Sequence, residues 1–297
     1  MNKGMWLAVG AYATWGFFPL YFKLLKGVPA LEILSHRVVW ALLFLVLVLT
    51  WRGQWGWLKE ALKQKKVVLT FAAAGTLLAI NWLTYIWGVN SGYVVETSLG
   101  YFINPLVSVF LGMIFLRERL RPGQWLAISI AFLGVVYLTF TYGRLPYIAL
   151  VLAFTFGTYG LLRKIGKLNS LEGLTMETGF MFIPALGFLL WQEGSGAAAF
   201  GHADWSTTAL LAFAGVATAI PLLMFGAAAR QIPLTVMGIL QYVAPTIQFL
   251  IGVLVFREDF SLHQLIGFSF IWAALVFYTV ESLLQTRRRR ALQYAGD

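Results

Sequence analysis

The sequence has no cysteine and few charged residues, and each shortage excludes a class of protein. Without cysteine, neither a disulfide framework nor a thiolate metal site can form. Asp, Glu, Lys and Arg together make up 11% of the 297 residues, against about a quarter in an ordinary soluble domain. Hydrophobic residues account for 60% of the chain. The composition therefore indicates a membrane protein.

Motifs for catalysis and for ATP binding are also missing. The sequence contains no H-E-x-x-H, no paired aspartates, no convincing Ser-His arrangement and no Walker A motif. We therefore expect no enzyme, no catalytic residue, no bound metal, no cofactor and no primary active transport by this chain alone. The net charge of +10 comes from basic residues between apolar runs, which is the placement of topology signals and does not indicate a nucleic-acid partner.

Apolar runs recur along the whole chain, and each is long enough as a helix to cross about 30 Å of hydrocarbon. Lipid offers no partner to a free backbone amide, so the spans are expected to be helical. Charges, prolines and glycines divide the sequence into ten predicted spans, near 4–23, 32–51, 67–88, 94–116, 122–140, 146–163, 172–191, 206–228, 235–256 and 262–283.

The distribution of Lys and Arg predicts the orientation. With the N-terminus in the cytoplasm, 17 of these residues fall on the cytoplasmic side and four on the outer side, as the positive-inside rule requires. Both termini are therefore predicted to be cytoplasmic. The N-terminal apolar run lacks a cleavage site and is interpreted as a retained first span. The basic tail, 287–297, is interpreted as an anchor at the anionic inner leaflet.

The two halves of the sequence resemble each other at a constant offset of 140 residues. The matches include Gly75 with Gly215, Leu83 with Leu223, Pro105 with Pro245, Gly112 with Gly252, and Arg117–Glu118 with Arg257–Glu258. One residue of slippage also aligns Lys23 with Lys164. The sequence thus predicts two five-helix units, 1–145 and 146–286. Because five is odd, the second unit enters the membrane from the opposite side, which makes an inverted repeat of the kind common in secondary transporters.

Five blocks in order carry a resemblance to a known family: "EILSHRVVW", "NWLTYIWGVN", "ETSLGYFINPLVSVFLG", "TFGTYGLLRK" and "LQYVAPTIQFLIGVLVF". With two repeats that each close on a Glu-containing turn, the chain resembles the RarD-type permeases of the EamA family, within the drug/metabolite transporter superfamily. The sequence departs from the usual EamA pattern in having Arg117 and Arg257 before the turn glutamates. The resemblance implies a bacterial inner-membrane permease for small organic solutes.

Polar residues inside the apolar spans are the first candidates for a substrate path, because they are costly in lipid. On the fourth span, Tyr101 and Asn104 share a face next to Pro105, and on the ninth, Gln241, Tyr242 and Gln248 surround Pro245. We expect both helices to kink at these prolines and to direct the polar groups into a cavity. The alternative is that these side chains only hold neighbouring helices together.

Further candidates lie on the first and third spans. Asn81 and Tyr85 are one turn apart, and Trp15 stands beside a glycine in the first span. Such aromatic and amide groups suit an amphipathic solute. For Trp15, the alternative is a role as an interfacial anchor.

Four ionisable residues are candidates for gating or coupling. His36 and Arg37 lie near the outer end of the second span, and we expect Arg37 to pair with Glu96, which has a similar depth. Such a pair would lock an outer gate or give way to a substrate carboxylate. Glu177, expected near Gln241, would be the inner counterpart. The alternative is a purely structural ion pair or a snorkelling arginine. His36 is the candidate proton switch.

These observations favour a multi-pass secondary transporter of the bacterial inner membrane that works by alternating access, with possible proton or exchange coupling. The expected partners are the lipid bilayer and a small substrate, either an amphipathic metabolite or an amino-acid-like solute. A small-solute channel and a non-transporting structural membrane protein are the alternatives. The sequence does not predict the oligomeric state.

Overall fold

The computed structural model describes residues 3–90, 93–143, 146–255 and 261–294, and these ranges form helices joined by turns and short loops, without a strand. The helices are α1 (Lys3–Gly16), α2 (Phe18–Leu24), α3 (Ala30–Trp51), α4 (Gly56–Lys63), α5 (Lys65–Asn90), α6 (Val94–Leu116), α7 (Pro122–Tyr142), α8 (Tyr147–Ile165), α9 (Ser170–Gly194), α10 (Trp205–Ala229), α11 (Leu234–Leu240), α12 (Val243–Leu254) and α13 (Leu262–Tyr294). Seven helices, α3 and α5 to α10, are long and apolar enough to cross a membrane. The predicted all-α class is confirmed.

The first and ninth predicted spans each consist of two helices. Helix α1 ends at Gly16 and α2 begins at Phe18, with Pro19 in its first turn. Proline has no backbone N–H and fixes φ near a helical value, so it is well accommodated where a helix starts. The break therefore falls where the sequence removes one helical hydrogen bond.

The break in the ninth span lies between α11 and α12, just before Pro245. Because Pro245 cannot donate to the carbonyl of Gln241, that carbonyl accepts the amide of Ala244 at 3.2 Å, in a tighter turn. Helix α6, in contrast, continues through Pro105. The two equivalent prolines thus have different effects on helix continuity.

Two segments differ in extent from the predicted spans. The stretch 52–66, expected to be a loop, contains α4, whose buried Ala61 belongs to an apolar cluster with Phe71 of α5. Helix α13 continues to Tyr294, beyond the predicted end of the tenth span at 283.

Helix packing follows a pattern that is repeated between the halves. Helix α5 packs against α8 and α9, while α10 packs against α1 and α3. In the same way α6 packs against α8, and α1 packs against α12. Helices α7 and α13 pack against each other. The contacts of α5 with α8 and α9 and of α6 with α8 therefore have counterparts made by the equivalent helices of the other half.

Two glycines illustrate how closely these helices approach each other. A Cβ at Gly16 of α1 would lie 2.7 Å from the Cβ of Ile247 on α12. A Cβ at Gly157 of α8 would lie 2.8 Å from a methyl group of Val107 on α6. Small residues at helix crossings let backbones approach in lipid, where packing replaces the hydrophobic effect as the driving force.

Candidate functional site

A cavity lies between the two halves of the bundle, at the level where α1 gives way to α2 and α11 to α12. It contains about 920 Å³ of space not filled by protein atoms, including its opening. Its wall combines aromatic rings with amide and hydroxyl groups.

Most of the predicted substrate-binding residues converge on this cavity, together with one predicted gating residue. They are Trp15, Arg37, Asn81, Tyr85, Tyr101, Asn104, Gln241 and Gln248. The structure therefore brings together side chains from α1, α3, α5, α6 and the ninth span, where Gln241 lies between α11 and α12 and Gln248 lies in α12. Their role in binding a substrate stays a prediction.

Arg37 extends from the N-terminal part of α3 into the cavity and is 9% exposed. Its Nε donates a hydrogen bond to Thr218 Oγ1 at 2.9 Å. The guanidinium carbon lies 4.6 Å from the ring centroid of Trp82 and 5.5 Å from that of Phe22. Contacts of this kind stabilise a buried cation through the ring quadrupole. They leave its charge uncompensated.

The amide side chains in the cavity differ in how many hydrogen bonds they make to other residues of the protein. Asn81 Nδ2 donates to the carbonyl of Leu152 and to Thr155 Oγ1, both at 2.9 Å. Gln248 Nε2 donates to the carbonyl of Trp15 at 3.2 Å. These two side chains link helices as well as lining the cavity. The alternative stated above, that polar side chains hold neighbouring helices together, therefore applies to them.

Asn104 and Gln241 have more hydrogen-bonding capacity left. Ser108 Oγ approaches Asn104 Oδ1 at 3.5 Å, which is at the weak limit of a hydrogen bond. Among the described residues, none hydrogen-bonds the amide nitrogen of Asn104 or the side chain of Gln241, although both are buried and line the cavity. These amides are therefore available to a bound solute.

An aromatic layer closes one end of the cavity. The rings of Trp15 and Phe156 meet at 5.6 Å and 82°, and Phe225 lies 5.8 Å from Trp15. Tyr159 stacks on Phe225 at 5.7 Å and 14°. With Tyr12 packed at 6.2 Å from Phe225, these rings form a dense barrier between the cavity and the buried polar groups beyond it.

A buried ion pair lies beyond the aromatic layer. Arg163 Nη1 donates to Glu177 Oε1 at 3.0 Å, and the Tyr159 hydroxyl donates to Glu177 Oε2 at 3.2 Å. Arg163 Nη2 donates to the carbonyl of Ser170 at 3.0 Å. The structure thus gives Glu177 a cationic partner in Arg163, the last residue of the sixth predicted span.

Two glycines make room for this pair. A Cβ at Gly226 of α10 would collide with Arg163 Nη2, and a Cβ at Gly173 of α9 would collide with Arg163 Nη1. A glycine within an apolar helix is the sequence signal for a close approach, although a glycine alone does not reveal that an arginine fills the space.

The predicted pair between Arg37 and Glu96 is wrong. Glu96 is fully buried, and its Oε1 accepts the backbone N–H of Ile148 at 2.7 Å, at the start of α8. Arg37 pairs with no carboxylate within the described ranges. A carboxylate at a helix N-terminus satisfies a free amide and interacts favourably with the helix dipole, so Glu96 has a structural role in linking α6 to α8.

Tyr242, also predicted to bind substrate, faces away from the cavity. Its hydroxyl donates to the carbonyl of Phe102 at 3.2 Å, and its ring packs in an apolar cluster with Ile271 of α13. The break after Leu240 directs consecutive residues to opposite sides, so Gln241 enters the cavity while Tyr242 leaves it.

His36 lies outside the cavity, in a buried polar cluster that the sequence did not reveal. Trp40 Nε1 donates to His36 Nδ1 at 3.2 Å, and His36 Nε2 lies 3.9 Å from Glu32 Oε1. Glu32 also accepts the amides of Ala199 and Phe200 at 2.7 and 3.2 Å. The cluster therefore fastens the α9–α10 loop to α3. No set of three or more metal-ligating side chains occurs among the described residues.

The turn after α6 holds the ninth span in place. Arg117 ends α6 with a left-handed φ of 53°. Glu118 then accepts the backbone amides of Leu234 and Thr235 at 2.8 and 2.9 Å, at the start of α11. The turn therefore has a structural role, as a cap on a helix of the other half. Arg257 lies outside the described residues.

The fold and site together define a multi-pass helical membrane protein with a cavity that both halves line. Comparison with protein families adds that residues 2–140 and 146–280 each match the EamA-like transporter family. The chain belongs to this family and is a membrane transporter, not an enzyme.

Full-length relatives agree. "Protein RarD" of Streptomyces exfoliatus is 46% identical over 98% of this chain and 92% of its own length. "Uncharacterized transporter YojE" of Bacillus subtilis is 47% identical over 98% of both. The resemblance to the RarD group is therefore confirmed, and the chain is a multi-pass protein of the bacterial inner membrane that handles a small-molecule substrate. A solved structure titled "Crystal structure of protein" shares the fold, with a TM-score of 0.69, 17% identity, and coverage of 93% of this chain and 96% of its own.

Proposed function

We propose that this transporter is a secondary transporter that moves small amphipathic metabolites or amino-acid-like solutes by alternating access. The observation that carries this proposal is the cavity between the halves, walled by aromatic rings and by the available amides of Asn104 and Gln241. A mixed wall of this kind suits a solute with an apolar body and a few hydrogen-bonding groups.

An inverted repeat supports the proposed mechanism. At the sequence offset between the halves, four pairs of equivalent positions line the cavity: Tyr101 with Gln241, Asn104 with Ala244, Trp82 with Leu222, and Trp15 with Phe156. We propose ten spans in two inverted five-helix units, 1–145 and 146–286, with both termini and the tail 287–297 in the cytoplasm. The repeated helix contacts are those that an exchange of conformations between the halves requires.

The closed end of the cavity supplies one gate of this proposal. In the proposed topology, the aromatic layer and the Arg163–Glu177 pair lie toward the cytoplasm and form the inner gate. A channel would need a continuous polar path, and the stacked rings of Tyr159 and Phe225 interrupt it. Proton coupling through His36 stays a prediction. His36 is buried near Glu32 and is not among the residues that line the cavity.

Uptake into proteoliposomes tests the proposal. Purified protein would be supplied with a pool of labelled amino acids and small aromatic solutes, with and without a proton gradient. We expect saturable uptake, and we expect Asn104→Ala to raise KM about tenfold, the effect of losing one hydrogen bond of roughly 1 to 1.5 kcal/mol to the solute.

Tyr242→Phe is the matched control, because it removes a buried hydroxyl that hydrogen-bonds the carbonyl of Phe102 and does not line the cavity. It should lower stability by about 1 kcal/mol and leave KM unchanged. Uptake that is unsaturable, or equal in Asn104→Ala and wild type, would contradict the proposed site.

A further inference from the structure

Arg37 is the one charged side chain among the described residues that line the cavity. Within the described ranges, only its Nε has a protein acceptor, Thr218 Oγ1 at 2.9 Å. Its flat faces contact the rings of Trp82 and Phe22. Because an arginine keeps its proton under all ordinary conditions, the cavity carries a permanent positive charge whose two terminal nitrogens have no carboxylate partner in the described part of the chain.

The second buried arginine shows what a neutralised site looks like in the same protein. Arg163 has Glu177 at 3.0 Å and the carbonyl of Ser170 at 3.0 Å. A buried cation without a counter-charge is destabilising, whereas a well-paired one is tolerated. Arg163 has such a counter-charge in the carboxylate of Glu177, whereas Arg37 has no carboxylate partner among the described residues.

We propose that Arg37 binds the carboxylate of an amphipathic organic anion that lacks a free ammonium group, an inference that rests on the transport function proposed above. The planar guanidinium presents parallel N–H groups that match the two oxygens of a carboxylate. A carboxylate in the cavity would therefore complete the ion pair that the protein leaves open.

The rest of the wall fits such an anion and not a zwitterion. The rings of Trp15 and Trp82 offer apolar contact, while Asn104 and Gln241 offer uncharged hydrogen-bonding groups. No acidic side chain is among the described lining residues, so a ligand ammonium would find no carboxylate and would be repelled by Arg37. A single negative charge on an apolar body is thus the favoured ligand charge.

Binding measurements with one apolar body in four charge states test this inference. The probes are N-acetyl-phenylalanine (anion), N-acetyl-phenylalaninamide (neutral), phenylalanine (zwitterion) and phenylalaninamide (cation), titrated by calorimetry into the full-length protein in detergent. We expect the anion to bind about tenfold tighter than the neutral amide, in line with a charge-assisted hydrogen-bond pair, and the cation to bind weakest.

Variants locate the effect. Arg37→Gln should bring the Kd of the anion to that of the neutral amide, Arg37→Lys should keep part of the preference, and Arg119→Gln, which removes an exposed arginine outside the cavity, should keep all of it. Equal binding of the four probes by wild type, a preference for the zwitterion, a preference that survives in Arg37→Gln, or no binding by the folded protein would each overturn the proposal. The wild-type series decides the matter even when Arg37→Gln does not fold.

Flux of the same probes in proteoliposomes separates this inference from the proposed function. Charge-ordered binding without any flux would contradict transport and leave the anion site standing. Flux without charge preference would leave transport standing and overturn the anion site.

Discussion

At the scale of single residues, the two buried arginines differ in their partners: Arg163 is paired with a carboxylate, whereas Arg37 lines the cavity. By the offsets that align the halves, Arg37 is equivalent to Glu177, and Phe22 is equivalent to Arg163. One pair of positions holds an ion pair at 3.0 Å, while the other holds a guanidinium 5.5 Å from a phenyl ring. Equivalent sites in the repeat have therefore acquired different chemistry, a closure at one end and a free charge at the other.

Gly226→Ala tests whether the sealed end depends on the position of Arg163. The added methyl group would collide with Arg163 Nη2 and come within 2.8 Å of Ser170 Oγ, so the ion pair must shift. We expect a loss of about 1 to 3 kcal/mol in stability, the usual cost of overpacking, measured as a lower midpoint of thermal unfolding in detergent.

Gly187→Ala is the matched control, since this glycine is also inside a helix but has no atom within 4 Å of an added Cβ. The midpoint of thermal unfolding of this variant should stay the same or rise slightly, because alanine has a higher helix propensity than glycine. Equal midpoints for the two variants would contradict the tight packing around Arg163.

Helical spacing and the cost of polar groups in lipid were sufficient to predict from the sequence that Tyr101, Asn104 and Gln241 line a cavity. The partner of Arg37 was not predictable in this way. Depth along the membrane normal placed Glu96 at a suitable level, but it says nothing about which helix face a residue occupies. Glu96 faces α8 and caps it, while Arg37 faces the cavity.

At the scale of elements, a carboxylate from one half orients a short helix of the other. Glu118 accepts two amides at the start of α11, and the Lys164 ammonium lies 3.9 Å from the same carboxylate. Since α11 ends at the Gln241 break, its placement decides how Gln241 enters the cavity.

Glu118→Ala should therefore destabilise the fold by about 1 to 2 kcal/mol, the cost of losing a helix cap. Chemical or thermal unfolding in detergent measures this, with Arg119→Ala, an exposed neighbour in the same turn, as the control. No difference between the two variants would show that Glu118 does not hold α11.

The division of the first and ninth spans was not evident from hydropathy, because an apolar run of about 20 residues indicates length and not continuity. The equivalent prolines were visible, yet Pro105 lies within a continuous α6 and Pro245 follows a break. What differs is the packing around them, which depends on the other half of the chain.

At the scale of the whole molecule, the halves surround one cavity that is closed at the Arg163 end. Similarity at a fixed offset predicted two related units, and the helix contacts repeat in the way that two such units would. The sequence also predicted the all-helical class and the transporter family. It did not predict the aromatic layer, because Tyr12, Tyr159 and Phe225 have the spacing of ordinary core residues and meet only in the folded bundle.

Alternating access is the central claim, and the cysteine-free chain allows a direct measurement of it. Ala244→Cys places one thiol in the cavity wall with little added volume. In proteoliposomes of defined orientation, a membrane-impermeant maleimide would be added to one side at a time, with and without N-acetyl-phenylalanine. The account predicts labelling from either side, at rates that the solute shifts in opposite directions. Labelling from one side only under every condition, or from both sides at rates that no solute changes, would contradict it.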